Sequence, residues 1–210
     1  MRFFISVFII LTSIAPAWSD ETRLDYSGRT VIYHSDVKLR GSQKRDVRYS
    51  HKANFFGAVA INTTKKTNDS NGAAWGYHNL KTAQDNAMRS CRFKADRPED
   101  CVLYLSVVPK GFDFKPKTRT LSNDAVEAYN FLVGWSRLNF DSYRSFAVNG
   151  IHTWAYSASA PTREAAEKEA LEVCEETFAR SQKKKDPAWA KAVYLKEHLQ
   201  CRIFVTFSPV

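Results

Sequence analysis

Apolar and polar positions along the chain change period several times, and each change marks an element. Phe55-Phe56-Gly57-Ala58-Val59-Ala60-Ile61-Asn62 is a short apolar run between polar neighbours, which predicts a buried strand. A polar loop runs from Thr63 to Gly72, and the next strand carries Trp75 and Tyr77 on one face by its period of two. From Thr82, three residues ahead of Asp85 in a capping arrangement, the period lengthens to that of a helix. It places Ala83, Ala87, Met88 and Cys91 on one stripe and ends near Arg92. Cys101 to Val107 is again strand-like and meets Pro109.

The succession then returns. Ser145 to Val148 and Ile151 to Ser157 flank Asn149-Gly150, the favoured centre of a two-residue hairpin turn. Thr162 to Phe178 reads as a helix with Ala166, Ala170, Leu171, Cys174 and Phe178 on one side, and Cys201 to Phe207 as a strand that meets Pro209. Asp124 to Trp135 is an amphipathic helix with the apolar stripe Ala125, Ala128, Tyr129, Leu132 and Val133, and it belongs either to the second module or between the two. Trp189, Ala192, Val193 and Leu195 suggest a short inserted helix. Ahead of the first run, the segment from Glu21 to Ala53 has one strand at Thr30 to His34 and is otherwise polar.

Short sequence matches support a repeat. Ala87-Met88-Arg89-Ser90-Cys91 and Ala170-Leu171-Glu172-Val173-Cys174 share one pattern, and each is preceded by an aromatic strand, Ala74-Trp75-Gly76-Tyr77 or Thr153-Trp154-Ala155-Tyr156. The four cysteines, Cys91, Cys101, Cys174 and Cys201, allow three pairings. Duplication of one supersecondary unit favours Cys91 with Cys101 and Cys174 with Cys201, inside each copy. A zinc site lacks the usual Cys-x-x-Cys or His-x-x-x-His spacing, so no metal or other cofactor is expected.

The first nineteen residues read differently from the rest. Arg2, the apolar run Phe3 to Ala15 and the small-residue pattern Ala17-Trp18-Ser19 have the form of a secretory leader cleaved after Ser19. The run is shorter than the roughly 20 apolar residues that span a bilayer. An even cysteine count agrees with an oxidising compartment, and the expected location is periplasmic or extracellular. The expected organisation is a leader over 1–19, an extension over 20–54, a first module over 55–110, a linker and bridging helix over 111–142 and a second module over 143–210.

Gly57-Ala58-Val59-Ala60, Ala74-Trp75-Gly76-Tyr77, Ala87-Met88-x-x-Cys91 and a Cys101 that opens an apolar strand together give a wider likeness. This series resembles the bacterial secreted family catalogued as domain of unknown function 4189. The resemblance covers about 55–108 well and 145–208 more loosely, where Ala155 replaces Gly76 and an insertion precedes the last cysteine. It implies export and a tandem architecture with a degenerate second copy, and it implies no reaction.

Composition is that of a globular chain: 210 residues, 44% hydrophobic and 25% charged. The formal net charge is +9, to which the leader contributes only Arg2, so the surface attracts polyanions. Basic residues gather at Lys38, Arg40, Lys44, Arg45, Arg48 and Lys52, at Lys110, Lys115, Lys117 and Arg119, and at Arg180, Lys183, Lys184 and Lys185. Lipopolysaccharide, a cell-wall polymer or DNA would be the matching partner, and solvated loops are the plainer reading.

Catalytic motifs are absent from the sequence in recognisable form, and no catalytic residue is assigned. His78 and His152 lie near the two Trp-bearing strands, where an acid such as Asp85 or Glu164 would complete a hydrolytic site. Trp75, Tyr77, Trp154 and Tyr156 either pack in the core, the simpler reading, or face a ligand with their flat rings. The expected fold is α+β: in each copy about three antiparallel strands, one helix across them and one disulfide, with the two sheets separate or merged. The expected function is that of an exported, non-catalytic binding or interaction protein whose ligand the sequence does not name, an anionic envelope polymer or another envelope protein being the candidate partners. The alternatives are a polyanion-binding envelope protein and a hydrolase with an unrecognised site.

Overall fold

The apolar run at residues 55–62 lies at the centre of a sheet, because both of its edges find partners. A computed structural model describes residues 28–53, 55–64, 70–112, 120–136, 141–183 and 185–209. The expected leader and the basic positions Lys115, Lys117, Arg119 and Lys184 lie outside the described residues. The first half contains β1 (Arg29–Tyr33), α1 (Gly41–Ser50), β2 (Phe56–Asn62), β3 (Asn71–Tyr77), α2 (Leu80–Lys94) and β4 (Cys101–Pro109). The second contains α3 (Asn123–Ser136), β5 (Tyr143–Val148), β6 (Trp154–Ala160), α4 (Arg163–Gln182), α5 (Pro187–Val193), α6 (Lys196–Leu199) and β7 (Arg202–Phe207).

Two separate antiparallel sheets result, in the orders β1-β4-β2-β3 and β6-β5-β7. The fold is α+β, and the sheets do not merge. Disulfides join Cys91 to Cys101 and Cys174 to Cys201, each tying a helix to the start of a strand of its own sheet. The helix α2 begins earlier than its sequence suggested: Asn79 is the cap, and its Oδ1 accepts from the Thr82 N–H at 2.8 Å. Thr162 caps α4 in the same way, accepting from the Ala165 N–H at 3.1 Å.

The caps provide a common frame for the two halves. Tyr77 and Ala160 each stand two residues before their caps, and each pairs with the first residue of the central strand, Phe56 or Tyr143. Beside that pair the edge strand carries an extra residue in both sheets: Trp75 and Gly76 oppose Gly57, and Ala158 and Ser159 oppose Arg144. A second irregularity also recurs, with Tyr104 and Phe204 as the extra residue of a register shift against the central strand, three residues after their cysteines. Asn62 and Asn149 end the central strands alike, each accepting from the N–H two residues on, at 2.8 and 2.9 Å.

This register corrects the match between the aromatic strands. Trp75 stands four residues before its cap and Trp154 eight, so Trp75-Gly76-Tyr77 and Trp154-Ala155-Tyr156 are not at corresponding positions. The irregularity at Gly76, with φ of +70°, also turns Tyr77 to the face opposite Trp75, against the expectation that they share one. Trp75 lies over Gly57, where a Cβ would sit 2.4 Å from the ring. At the matching place in the second sheet the bulk comes from the other strand: Arg144, wholly buried, stands opposite Ala158.

Asn149-Gly150 does not form a two-residue hairpin. Strands β5 and β6 are joined through residues 149–153, closed by the Asn149 N–H on the Thr153 carbonyl at 3.0 Å, and Gly150 has no positive φ. Glycine is required there for space, since a Cβ would approach the His198 Cα to 2.9 Å.

Each sheet is covered on both faces. The disulfide helix lies on one, with Ala83, Ala87 and Cys91, or Ala166, Ala170 and Cys174, buried. On the other face α1 sets Val47 against Val59 and Ile61, while α3 sets Tyr129 against Phe146 with ring centroids 5.9 Å apart. The inserted helix α5 packs on α2 of the first half, where the Arg89 Nε donates to the Val193 carbonyl at 2.9 Å. A single hydrophobic cluster consequently runs from Phe56 and Ala83 through Leu121 to Phe146, Ile151 and Tyr194.

Candidate functional site

His78 follows β3 at the point where the two halves meet, and its four polar groups are all engaged there. Its N–H donates to the Ile151 carbonyl at 2.8 Å, and its carbonyl accepts from the Thr120 hydroxyl. Ring Nδ1 accepts from the Ser122 N–H at 2.9 Å, so the proton belongs on Nε2, which donates to the Thr153 carbonyl at 3.1 Å. Burial pushes the ring down to about 4, against the Thr153 carbonyl that favours the charged form. A neutral imidazole held between three chain segments is a strut, with no lone pair left for a general base.

The acids proposed to complete a hydrolytic site do not bond to it. Asp85 pairs with Lys81 at 2.8 Å, and Glu164 is exposed in the first turn of α4. His152 packs edge-on to Tyr77 at 6.1 Å and is also held below the usual histidine range, chiefly by burial and then by Lys185. Among the described residues, no three His, Cys, Asp or Glu side chains are grouped to hold a metal.

The four singled-out aromatics separate into two pairs. Tyr77 is buried, its hydroxyl pushed up by burial and set between Asn86 and Tyr194. Trp75 fills the space above Gly57 and touches Tyr49 at 5.8 Å. Both belong to the packing of the first half. Trp154 and Tyr156, half-buried on an edge strand as Trp75 is, pack against the core on the Phe146 face of the second sheet, their rings parallel within 6° at 6.4 Å. Phe146 continues the stack on Trp154 at 5.9 Å and 11°.

Beside that strand runs a groove of about 620 Å³. One wall is residues 152–156, and the other is Val173, Thr177 and Ser181, spaced four apart along one side of α4. Trp154, Ala155 and Tyr156, consecutive in β6, can all line one groove only through their backbone edge, because alternate side chains leave on opposite faces. The bond between Asn149 and Thr153 sets the alternation of the ladder, so the N–H and C=O of Trp154 and Tyr156 point away from β5. They face the groove without a hydrogen bond among the described residues. Sequence patterning marked the aromatics but not this edge, which depends on strand order.

The basic positions lie on different elements. Lys38, Arg40, Lys44, Arg45, Arg48 and Lys52 are exposed on and around α1, which turns Gln43, Val47 and Ser50 inward. Arg180 and Lys183 are exposed at the end of α4. Lys185 folds back over Trp189 and Tyr194, 5.7 and 4.8 Å from the ring centroids, near the His152 end of the groove. A smaller cleft of about 300 Å³ lies between the halves beside His78, Asn149 and Arg202. No helix among the described residues is long and apolar enough to cross a membrane. No family model, no curated protein and no solved structure matches the chain.

Proposed function

We propose that the chain is an exported, non-catalytic binding protein of the periplasm or cell exterior, built by duplication of one unit, in which the second copy presents the ligand surface. The observation that carries this reading is the groove between β6 and α4, with its open strand edge at Trp154 and Tyr156 and its exposed Val173 on the helix wall. Two disulfides support an oxidising compartment. The recurring element order, bulges and caps support duplication, and they suit the proposed kinship with the secreted family named above. With His78 occupied as a strut, the reading as a hydrolase has no observation behind it.

A second reading has its own support. Six exposed cations on and around α1 form a patch suited to an anionic envelope polymer such as lipopolysaccharide, a cell-wall polymer or DNA. The two readings separate on immobilised probes: duplex DNA, lipopolysaccharide, an anionic polysaccharide and a peptide digest of envelope proteins, each at low and high salt. Groove binding is expected to survive salt and to fail in Val173→Glu, which places a charge on the helix wall. Retention that vanishes with salt and with Lys44→Glu/Arg48→Glu, while ignoring Val173→Glu, would establish the polymer reading instead. Retention on none of the four would overturn both.

A further inference from the structure

We infer that the partner in the groove is an extended polypeptide segment with an acidic end, which adds to the free edge of β6 as a further strand. This rests on the groove being the ligand surface and names what fits it.

The shape and polarity of the groove select an extended backbone. An edge strand offers a row of N–H and C=O groups that another extended chain satisfies at each alternate residue. Here those groups belong to Trp154 and Tyr156, and the opposite wall is a helix whose Val173 is 39% exposed. The three strand residues of the wall, Trp154 to Tyr156, span about 10 Å at the usual rise, and the strand runs on to Ala160. A sugar or a small planar ligand would use the rings but leave the strand edge unanswered.

The first half shows what a closed version looks like. Counting from the caps, Asn71 corresponds to Trp154 and Lys94 to Thr177: each strand residue lies eight before its cap and each helix residue fifteen after it. In the first half Lys94 reaches across from α2, its Nζ donating to the Asn71 carbonyl at 3.3 Å. The outward carbonyl of Asn71 is therefore already engaged. Thr177 is too short for the same bridge, and the corresponding edge stays open. The distinction lies in one helix position, and it makes β6 the receptive edge of the pair.

Charge gives the segment a direction. The end at His152 and Ser181 lies near Lys185, with Arg180 and Lys183 exposed beside it. Asp124 of α3 is the carboxylate that acts on His152 there. At the other end Glu169 accepts from the Ser157 hydroxyl at 2.6 Å. A carboxylate on the incoming segment accordingly belongs at the Lys185 end.

The test uses the full chain and a fluorescein-labelled hexapeptide of alternating Val and Thr ending in Glu with a free carboxylate. Saturable binding is expected, weakening about tenfold when both carboxylates are amidated, as for loss of one charge-assisted contact. Two further peptides carry N-methyl groups on alternate residues, in one phase or the other. One phase is expected to abolish binding and the other to spare it, because only alternate N–H groups face the edge. Thr177→Lys, which copies the bridge of the first half, is expected to weaken binding at least tenfold while the melting temperature holds. Equal binding by the two methylated peptides, or no effect of Thr177→Lys, would overturn strand addition. Failure of the peptides alongside retention of another probe that Val173→Glu abolishes would refute this inference and leave the binding reading standing. Concentration-dependent dimers that block the peptide would name a second copy as the occupant and overturn the proposal too.

Discussion

Gly72 and Gly76 stand in the same strand and respond differently to a side chain. A Cβ on Gly72 would lie 2.0 Å from the Ala87 carbonyl oxygen and 2.5 Å from the Cys91 nitrogen, both backbone atoms of α2. Gly72→Ala is expected to cost about 3 kcal/mol, the upper range for overpacking, because neither neighbour can rotate away. Gly76→Ala meets nothing within 4 Å, so only the left-handed φ of +70° opposes it, at about 1 kcal/mol. Urea denaturation of the two variants checks the order, and a larger loss for Gly76→Ala would contradict it. Gly76 also shows where pattern reading stops. Trp-x-Tyr in a strand predicts one face, but a single glycine in the left-handed region sends Tyr77 to the other, and no period in the sequence records that. The likeness of Trp75-Gly76-Tyr77 to Trp154-Ala155-Tyr156 is one of composition, four residues out of register.

At the scale of elements, strands and disulfide helices were legible because each keeps an apolar stripe at its own period, as at Ala83, Ala87 and Cys91, even where α2 also buries Thr82, Asn86 and Ser90. Helix α1 was not. It buries only Val47 among apolar residues, with Gln43 and Ser50, whose side chains bond the Asn62 and Val47 carbonyls at 3.0 and 2.6 Å. Such a polar buried face leaves no hydrophobic period to detect. The cysteine pairing was readable from the short repeated pattern around each helix end. Replacing Cys174 and Cys201 by Ala is expected to cost roughly 3 to 4 kcal/mol, and the shorter Cys91–Cys101 loop slightly less, if the gain comes from restricting the unfolded chain. Reversible denaturation of the two double variants measures this. A smaller loss for the 27-residue separation than for the 10-residue one would argue against that mechanism.

The molecule as a whole is held together where β3 passes His78 to the second half, and this joint is expected to fail in acid. His78 titrates at about 4 when folded and at about 6.5 when unfolded. Above pH 6.5 both states are neutral and stability does not depend on this group. As pH falls below 6.5 the unfolded chain takes a proton that the folded chain refuses, and stability declines until about pH 4. The shift corresponds to about 3 kcal/mol. His152, also held low, acts in the same direction. A C2-proton resonance of His78 that titrates near 6.5 would remove this explanation. That the joint exists could not be read from sequence, because Ser122, Ile151 and Thr153 reach His78 from segments far apart in the chain.

The same distance in sequence separates the two walls of the groove, and the claim that ligand binds there is the centre of the account. Residue-resolved amide hydrogen exchange, on the full chain alone and with the most strongly retained of the four probes, tests it most directly. The expected result is slowed exchange at Trp154 and Tyr156, with Trp75 and the residues of α1 unchanged. Protection confined to α1 or to the first sheet, with the β6 edge exchanging as in the free chain, would contradict it.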